Sequence, residues 1–124
     1  MAIELTLDAV DAEAAASFWR EALGYQVLHV REPYIVLGPQ DGDSGPRVVL
    51  QRVAAVTAGK TTVHLDLRVD DPDAEVARLQ DLGATIAWEV DESTQGFIRW
   101  TVMIDPQGTH FCVCPARSAG GDAT

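Results

Sequence analysis

The stretch TVHLDLRVDDPDAEVARLQDLGA, beginning at Thr62, repeats the plan of AIELTLDAVDAEAAASFWREALGY near the start of the chain. In the first copy Ile3, Leu5 and Leu7 alternate with Glu4, Thr6 and Asp8. That is the period of a strand with one dry face and one polar face. Asp11 then fits a helix N-cap. Ala15, Phe18, Trp19, Ala22 and Leu23 recur at helical spacing, and Gly24 fits a C-terminal stop. In the second copy Val63, Leu65, Leu67 and Val69 alternate with His64, Asp66, Arg68 and Asp70. Asp71 is an N-cap, Pro72 stands at the first helical position, Val76, Leu79 and Leu82 form the stripe, and Gly83 closes the helix. Glu4 and His64, like Asp11 and Asp71, stand 60 positions apart, so the two registers match.

After each helix the pattern changes to strands. The first half continues with YQVLHVR, YIVLGP and PRVVLQRV, the last two separated by the glycine-rich GPQDGDSGP. The second half continues with TIAWEVD, FIRWTVMID and HFCVC, the last two joined by DPQG. Each half therefore spells β-α-β-β-β. One half alone leaves part of its sheet uncovered, so the repeat predicts an α+β fold of two tandem βαβββ modules. The modules span residues 1–53 and 61–116, and together they form a single domain over 1–116. Helices are expected near Asp11–Leu23 and Asp71–Leu82, and a small polar tail over 117–124 is expected to be disordered. Leu5, Leu7, Phe18, Trp19, Leu65, Leu67, Leu79, Leu82 and Phe111 are the expected core between sheet and helices.

At 124 residues the chain has room for one ordinary core and not two. Its 9 basic and 19 acidic residues give a net charge of -10, which argues against nucleic-acid binding and against docking on anionic lipid. The acidic N-terminus has neither a basic n-region nor a long apolar run, so a cytoplasmic protein is expected. Cys112 and Cys114 are the only cysteines. One residue apart on a strand, they are too strained to bridge and are expected as reduced thiols.

Two such modules, with HLDLRVDD, LGATI and a closing WTVMIDPQGTHFCV, resemble the vicinal oxygen chelate superfamily, the glyoxalase and bleomycin-resistance group, from Ala2 to Pro115. The resemblance implies one curled mixed sheet with the helices on its outer face. The polar faces Glu4-Thr6-Asp8 and His64-Asp66-Arg68 would then line a concave cavity. It also implies a homodimer.

In metal-dependent members the ligands come from the first and last strands of each module. Matched position by position, they fall here on Glu4, Gln51, His64 and Cys112. All four bind metals, but a neutral amide and a soft thiol stand where carboxylates are usual. No cofactor is therefore preferred, and a divalent metal remains the alternative. Arg68 suits an anionic group, and Asp66 suits orienting His64 or acting as a base. Trp88, Trp100 and Tyr34 are strand aromatics able to stack on a flat ligand or to pack. The His110, Cys112 and Cys114 face suits either a soft metal or ordinary burial. Glu89, Asp91 and Glu92 form a solvated charge run.

The expected ligand-binding set is Glu4, Thr6, Gln51, His64, Asp66, Arg68, Trp100 and Cys112. The favoured function is a small-molecule-binding protein that holds an aromatic or amphipathic metabolite or antibiotic. The alternative is a metal-dependent isomerase, lyase or dioxygenase acting on a substrate with vicinal oxygens.

Overall fold

A computed structural model describes residues 1–55, 62–91 and 99–117 of the chain. The expected disorder of 118–124, Glu92 of the charge run, and most of the connector between the halves lie outside the described residues. The elements run in the expected order. The first half holds β1 (Ala2–Ala9), α1 (Ala12–Leu23), β2 (Gln26–Arg31), β3 (Tyr34–Gly38) and β4 (Arg47–Arg52). The second holds β5 (Val63–Val69), α2 (Pro72–Asp81), β6 (Thr85–Asp91), β7 (Arg99–Ile104) and β8 (His110–Pro115). Both helices begin as the sequence dictates. Asp11 accepts a hydrogen bond from the Ala14 N–H at 3.0 Å, and Asp71 accepts one from Ala74 at 3.1 Å. Gly24 ends α1 in the left-handed conformation, at a φ of 68°, which costs glycine little.

The chain forms two compact units, Glu4–His64 and Leu65–Thr124 with Met1–Ile3. The strands of the first half lie in the order β2-β3-β4-β1, with β1 parallel to β4 and the rest antiparallel. The second half has the order β5-β8-β7-β6, with β5 parallel to β8. Both halves are thus the expected mixed α+β modules. Leu37 and Leu50, fully buried, pack with Ile35, Val48, Ala12 and Ala16, with Trp19, Leu5 and Leu7 around them. Val69, Ala84, Met103 and Val113 form the matching core under Val76 and Leu79 of α2.

Three expected core residues are exposed: Phe18 at 62%, Leu65 at 43% and Leu82 at 65%. The helices explain this. α1 packs on β3 and β4, and α2 on β8 and β6, so neither lies chiefly over the first strand of its module. Leu65 sits on the helix-side face of β5 but outside the cover of α2. Phe18 lies roughly 100–160° around α1 from Ala12, Ala16 and Trp19, at roughly 100° per residue. It rests edge-on against Trp19 with ring centroids 5.1 Å apart. Leu82 is already the C-cap of α2, past its last turn. The polar faces of the first strands are by contrast dry: Glu4, Thr6, Asp66 and Arg68 are all buried.

Arg52 ties the first half together. Its guanidinium donates to both carboxylate oxygens of Glu32, at 3.0 and 2.9 Å, and to Glu13 on α1 at 2.7 Å. These bonds hold the Glu13 and Glu32 carboxyls below their ordinary value of 4.5. A carboxyl whose folded value is depressed stabilises the fold above its unfolded value and loses that contribution as pH falls. Stability should therefore drop on acidification below about pH 4.5, and Arg52→Gln should flatten that drop, as read by thermal melts between pH 3 and 7. Leu50→Ala should cost about 2–5 kcal/mol, seen as a lower urea midpoint at unchanged slope.

Candidate functional site

The side of the second half turned away from α2 is built row by row. Asp66 on β5 lies level with Cys112 on β8, Cys112 with Val102 on β7, and Val102 with Trp88 on β6. The next row carries Arg68 level with Cys114. Trp100 and Ala87 pack against Val102, Cys112 and Cys114. The Arg68 guanidinium donates to the Pro115 carbonyl at 3.2 Å, which fixes its stem along the sheet.

The DPQG turn sets this register. Asp105 accepts from the N–H groups of Gln107 and Thr109, at 2.8 and 2.9 Å, and Gly108 supplies a φ of 93°. Those bonds hold the Asp105 carboxyl below its ordinary value. The parallel register of β5 and β8 sets Cys112 level with Asp66.

One nitrogen of His64, a carboxylate oxygen of Asp66 and the Cys112 sulfur all lie within 4.8 Å of one another. His64 and Asp66 share a face because they are two apart on a strand. Cys112 is buried and its thiol is free. Burial first, and then the adjoining Asp66 charge, push the thiol far above the ordinary cysteine range. The neutral S–H is further held by a hydrogen bond with Asp66. His110 stacks at a tilt on Trp88, with ring centroids 5.9 Å apart.

The corresponding face of the first half is different chemistry. Its rows are Thr6-Val49-Val36-His29 and Asp8-Gln51-Tyr34-Arg31, with Glu4 level with Arg47. Thr6 pairs with Val49 as Asp66 pairs with Cys112. The counterpart of Cys112 is therefore Val49, which offers no donor, and not Gln51. Gln51 lies level with Asp8 and corresponds to Cys114. The difference arises before β4, where a long glycine-rich loop replaces the DPQG turn and shifts the count.

The four-residue match to a metal site is thus redrawn. Among the described residues, His64 and Cys112 come together with Asp66, and Glu4 is not a member of that cluster. Sequence reasoning gave Asp66 an orienting or basic role. The signal for a ligand role was its same-face spacing from His64, together with the parallel register that sets it opposite Cys112.

A family model described as "Glyoxalase-like domain" matches residues 4–114. The chain belongs to the glyoxalase-like domain family. No curated protein matches it. Among solved structures, a glyoxalase/bleomycin resistance protein/dioxygenase superfamily member from Vibrio splendidus 12B01 is 21% identical, with a TM-score of 0.58, over 91% of this chain and 97% of that one. A methylmalonyl-CoA epimerase variant from Streptomyces coelicolor is 18% identical, with a TM-score of 0.65, over 93% and 96%. A Legionella pneumophila structure titled as an NAD-dependent benzaldehyde dehydrogenase is 13% identical, with a TM-score of 0.68, over 93% and 99%. These likenesses speak for the fold of the vicinal oxygen chelate superfamily. No helix among the described residues is long and apolar enough to cross a membrane.

The buried, protonated state of Cys112 has a measurable consequence. At pH 8 the folded protein should react with iodoacetamide far more slowly than the urea-unfolded chain, at both Cys112 and Cys114. Mass spectrometry of the labelled peptides reads the two rates. Equal rates in the two states would show that the thiols are open to solvent.

Proposed function

We propose that this glyoxalase-like chain is a small-molecule-binding protein of the glyoxalase and bleomycin-resistance type. It takes a flat aromatic or amphipathic molecule on the side of the second half that carries His64, Asp66, Arg68, Cys112 and Trp100. One observation carries the reading: two ionisable side chains, Asp66 and Arg68, are buried at 7% exposure on a strand whose other face meets the helix-side core. Buried charge is costly unless it is paired or put to use. Here Asp66 lies in the row that ends at Trp88, and Arg68 lies level with Cys114, against whose cluster Trp100 packs. Apolar area with a few fixed polar groups is what a ligand site requires. About 300 Å2 of apolar burial, at about 25 cal/mol per Å2, is worth about 7 kcal/mol before association costs, enough for weak to micromolar binding.

A second reading has its own observation in the cluster of His64, Asp66 and Cys112. It makes the chain a metal-dependent isomerase, lyase or dioxygenase. The three donors are close enough to fit a divalent ion, and those residues would hold it. When bound, such an ion polarises a substrate oxygen as a Lewis acid. The residues around it keep their own tasks. Arg68 steadies an anionic group of the substrate, and Trp100 adds apolar area to the cluster that contains Cys112.

Tryptophan quenching by a panel of flat aromatic metabolites and antibiotics, with and without chelator, separates the two. The binding-protein reading expects saturable quenching in chelator, weakened at least tenfold by Trp100→Ala. Binding that disappears in chelator and returns with a divalent ion favours the enzyme. We also expect a homodimer, so sedimentation at micromolar concentration should give about twice the 13.4 kDa chain mass.

A further inference from the structure

The rim strand of the second half carries an aromatic side chain that regular alternation would send to the helix side. Thr85 and Ile86 of β6 stand level with Ile104 and Met103 of β7, and Met103 lies in the helix-side core. Unbroken alternation from Ile86 puts Trp88 on that same side. Instead the register slips between Ile86 and Trp88, and Trp88 stands level with Val102. Val102 is level in turn with Cys112, and Cys112 with Asp66. The extra residue is Ala87, small enough to pack against the cluster of Val102, Cys112 and Cys114. A bulge of this kind re-aims a side chain. Here it turns an indole onto the face that carries the buried charge.

The turned ring meets a second one. His110 on β8 shares a face with Cys112, two residues further on. Its ring centroid lies 5.9 Å from that of Trp88, with the planes at 45°. β7 runs between the strands that carry the two rings. Strand spacing puts β6 and β8 roughly 10 Å apart, so the two side chains converge over β7. Trp88 is still 53% exposed, and His110 is exposed as well. The pair therefore lies over the sheet with much of its ring surface open to solvent.

We propose that Trp88 and His110 form the aromatic end of the binding site, and that the ligand is an elongated molecule with a flat ring at this end and an anionic group at the other. The proposal rests on the small-molecule reading for the face that is used. It adds the side chains that hold the ring, and the shape of the ligand.

The order of side chains across the sheet carries it. Asp66 and Arg68 stand on β5, apolar Cys112 and Val102 follow on β8 and β7, and Trp88 stands on β6. Polarity thus falls in one direction along a single row. A guanidinium suits an anionic group, thiol and valine suit hydrocarbon, and an open indole suits a flat ring. Three strand spacings separate β5 from β6, no more than about 14 Å. A ligand that touches both edges is therefore about 10–14 Å long, the length of a bicyclic aromatic ring with a short acid chain. His110 is a positioning residue, which holds the indole at its tilt. The matching break in β2 brings His29 to the corresponding place in the first half, and that smaller ring is half-buried.

The probe is 5-(2-naphthyl)pentanoate, titrated into the full chain in chelator and read by calorimetry. The expected result is one equivalent bound. Trp88→Ala should weaken it at least tenfold, and Trp88→Phe by less than about threefold. His110→Ala should weaken it about threefold, and His110→Phe should restore it. The neutral amide of the probe should bind at least about fivefold more weakly. Trp88 is half exposed, so melting temperatures should stay within about 3 °C of the unchanged protein. A hydroxyl-radical footprint of the unchanged protein needs no variant. Bound probe should cut labelling of Trp88 severalfold and leave that of Phe18, exposed on α1, as it was.

Equal binding by Trp88→Ala and the unchanged protein overturns the proposal and leaves the binding-protein reading in place. So does labelling of Trp88 that the probe does not alter, or binding by other members of the aromatic panel without any by this probe. A melting temperature that falls by about 10 °C with Trp88→Ala assigns the ring to packing and overturns the proposal too. If neither this probe nor any member of the panel binds, the reading falls and the proposal falls with it.

Discussion

A parallel pair of strands cannot be closed by a turn, and in each half of this chain the first and last strands are such a pair. The helix and two strands between them are the crossover that parallel pairing demands. Parallel strands are also typically covered on both sides. Here one face only is so covered: Glu4, Thr6, Asp66 and Arg68 are buried and hold charge there at a cost, while Ile3, Val63 and Leu65 on the opposite faces stay exposed. The same pairing fixes which residues meet. Asp66 stands opposite Cys112 because β5 and β8 run in the same direction from matched starting points, and the DPQG turn sets one of those points.

Much of this was legible in the sequence. Alternation in ELTLD and HLDLRVD named the strands and their two faces, and Asp11, Asp71, Pro72 and Gly24 marked the helices to within a residue or so. The repeat supplied the βαβββ order. What alternation does not carry is which neighbour covers a dry face. Leu65 belongs to the helix-side face of β5, yet α2 packs on β8 and β6, and Leu65 is left in solvent. Phe18 failed for a related reason. A run of apolar residues on a helix is wider than its contact stripe, and small Ala12 and Ala16 sit at the centre where bulk was expected.

The site was half legible. His64 and Cys112 were placed by their motifs, and the structure brings them together. Gln51 was misplaced as the counterpart of Cys112 because strand phase fixes a face but not a register. Two extra residues in a loop move a side chain along the strand without changing the side on which it lies. Asp66 was seen as a helper to His64 when it is an equal member of the cluster. The two halves thus share a scaffold while differing in chemistry. Cys112 and Trp88 of the second half stand where the first half has Val49 and His29, and Cys114 stands where it has Gln51. On a glyoxalase-like fold, matched positions of the two modules therefore carry different chemistry.

The outermost strands share one further trait. β2 breaks register between Val27 and His29, and β6 does so between Ile86 and Trp88, at matching places in the two halves. In the first, Leu28 is turned across Gly38, where even a methyl group would come within 2.5 Å of it. A kinked rim is a poor template for the flat hydrogen-bonded ladder another strand would need. Both strands expose valine, leucine, isoleucine or tryptophan, a composition that invites fibrous stacking when the rim is straight. The paired kinks act as stops against open-ended growth, and they leave side-chain surfaces rather than backbone as the means by which two copies could adhere.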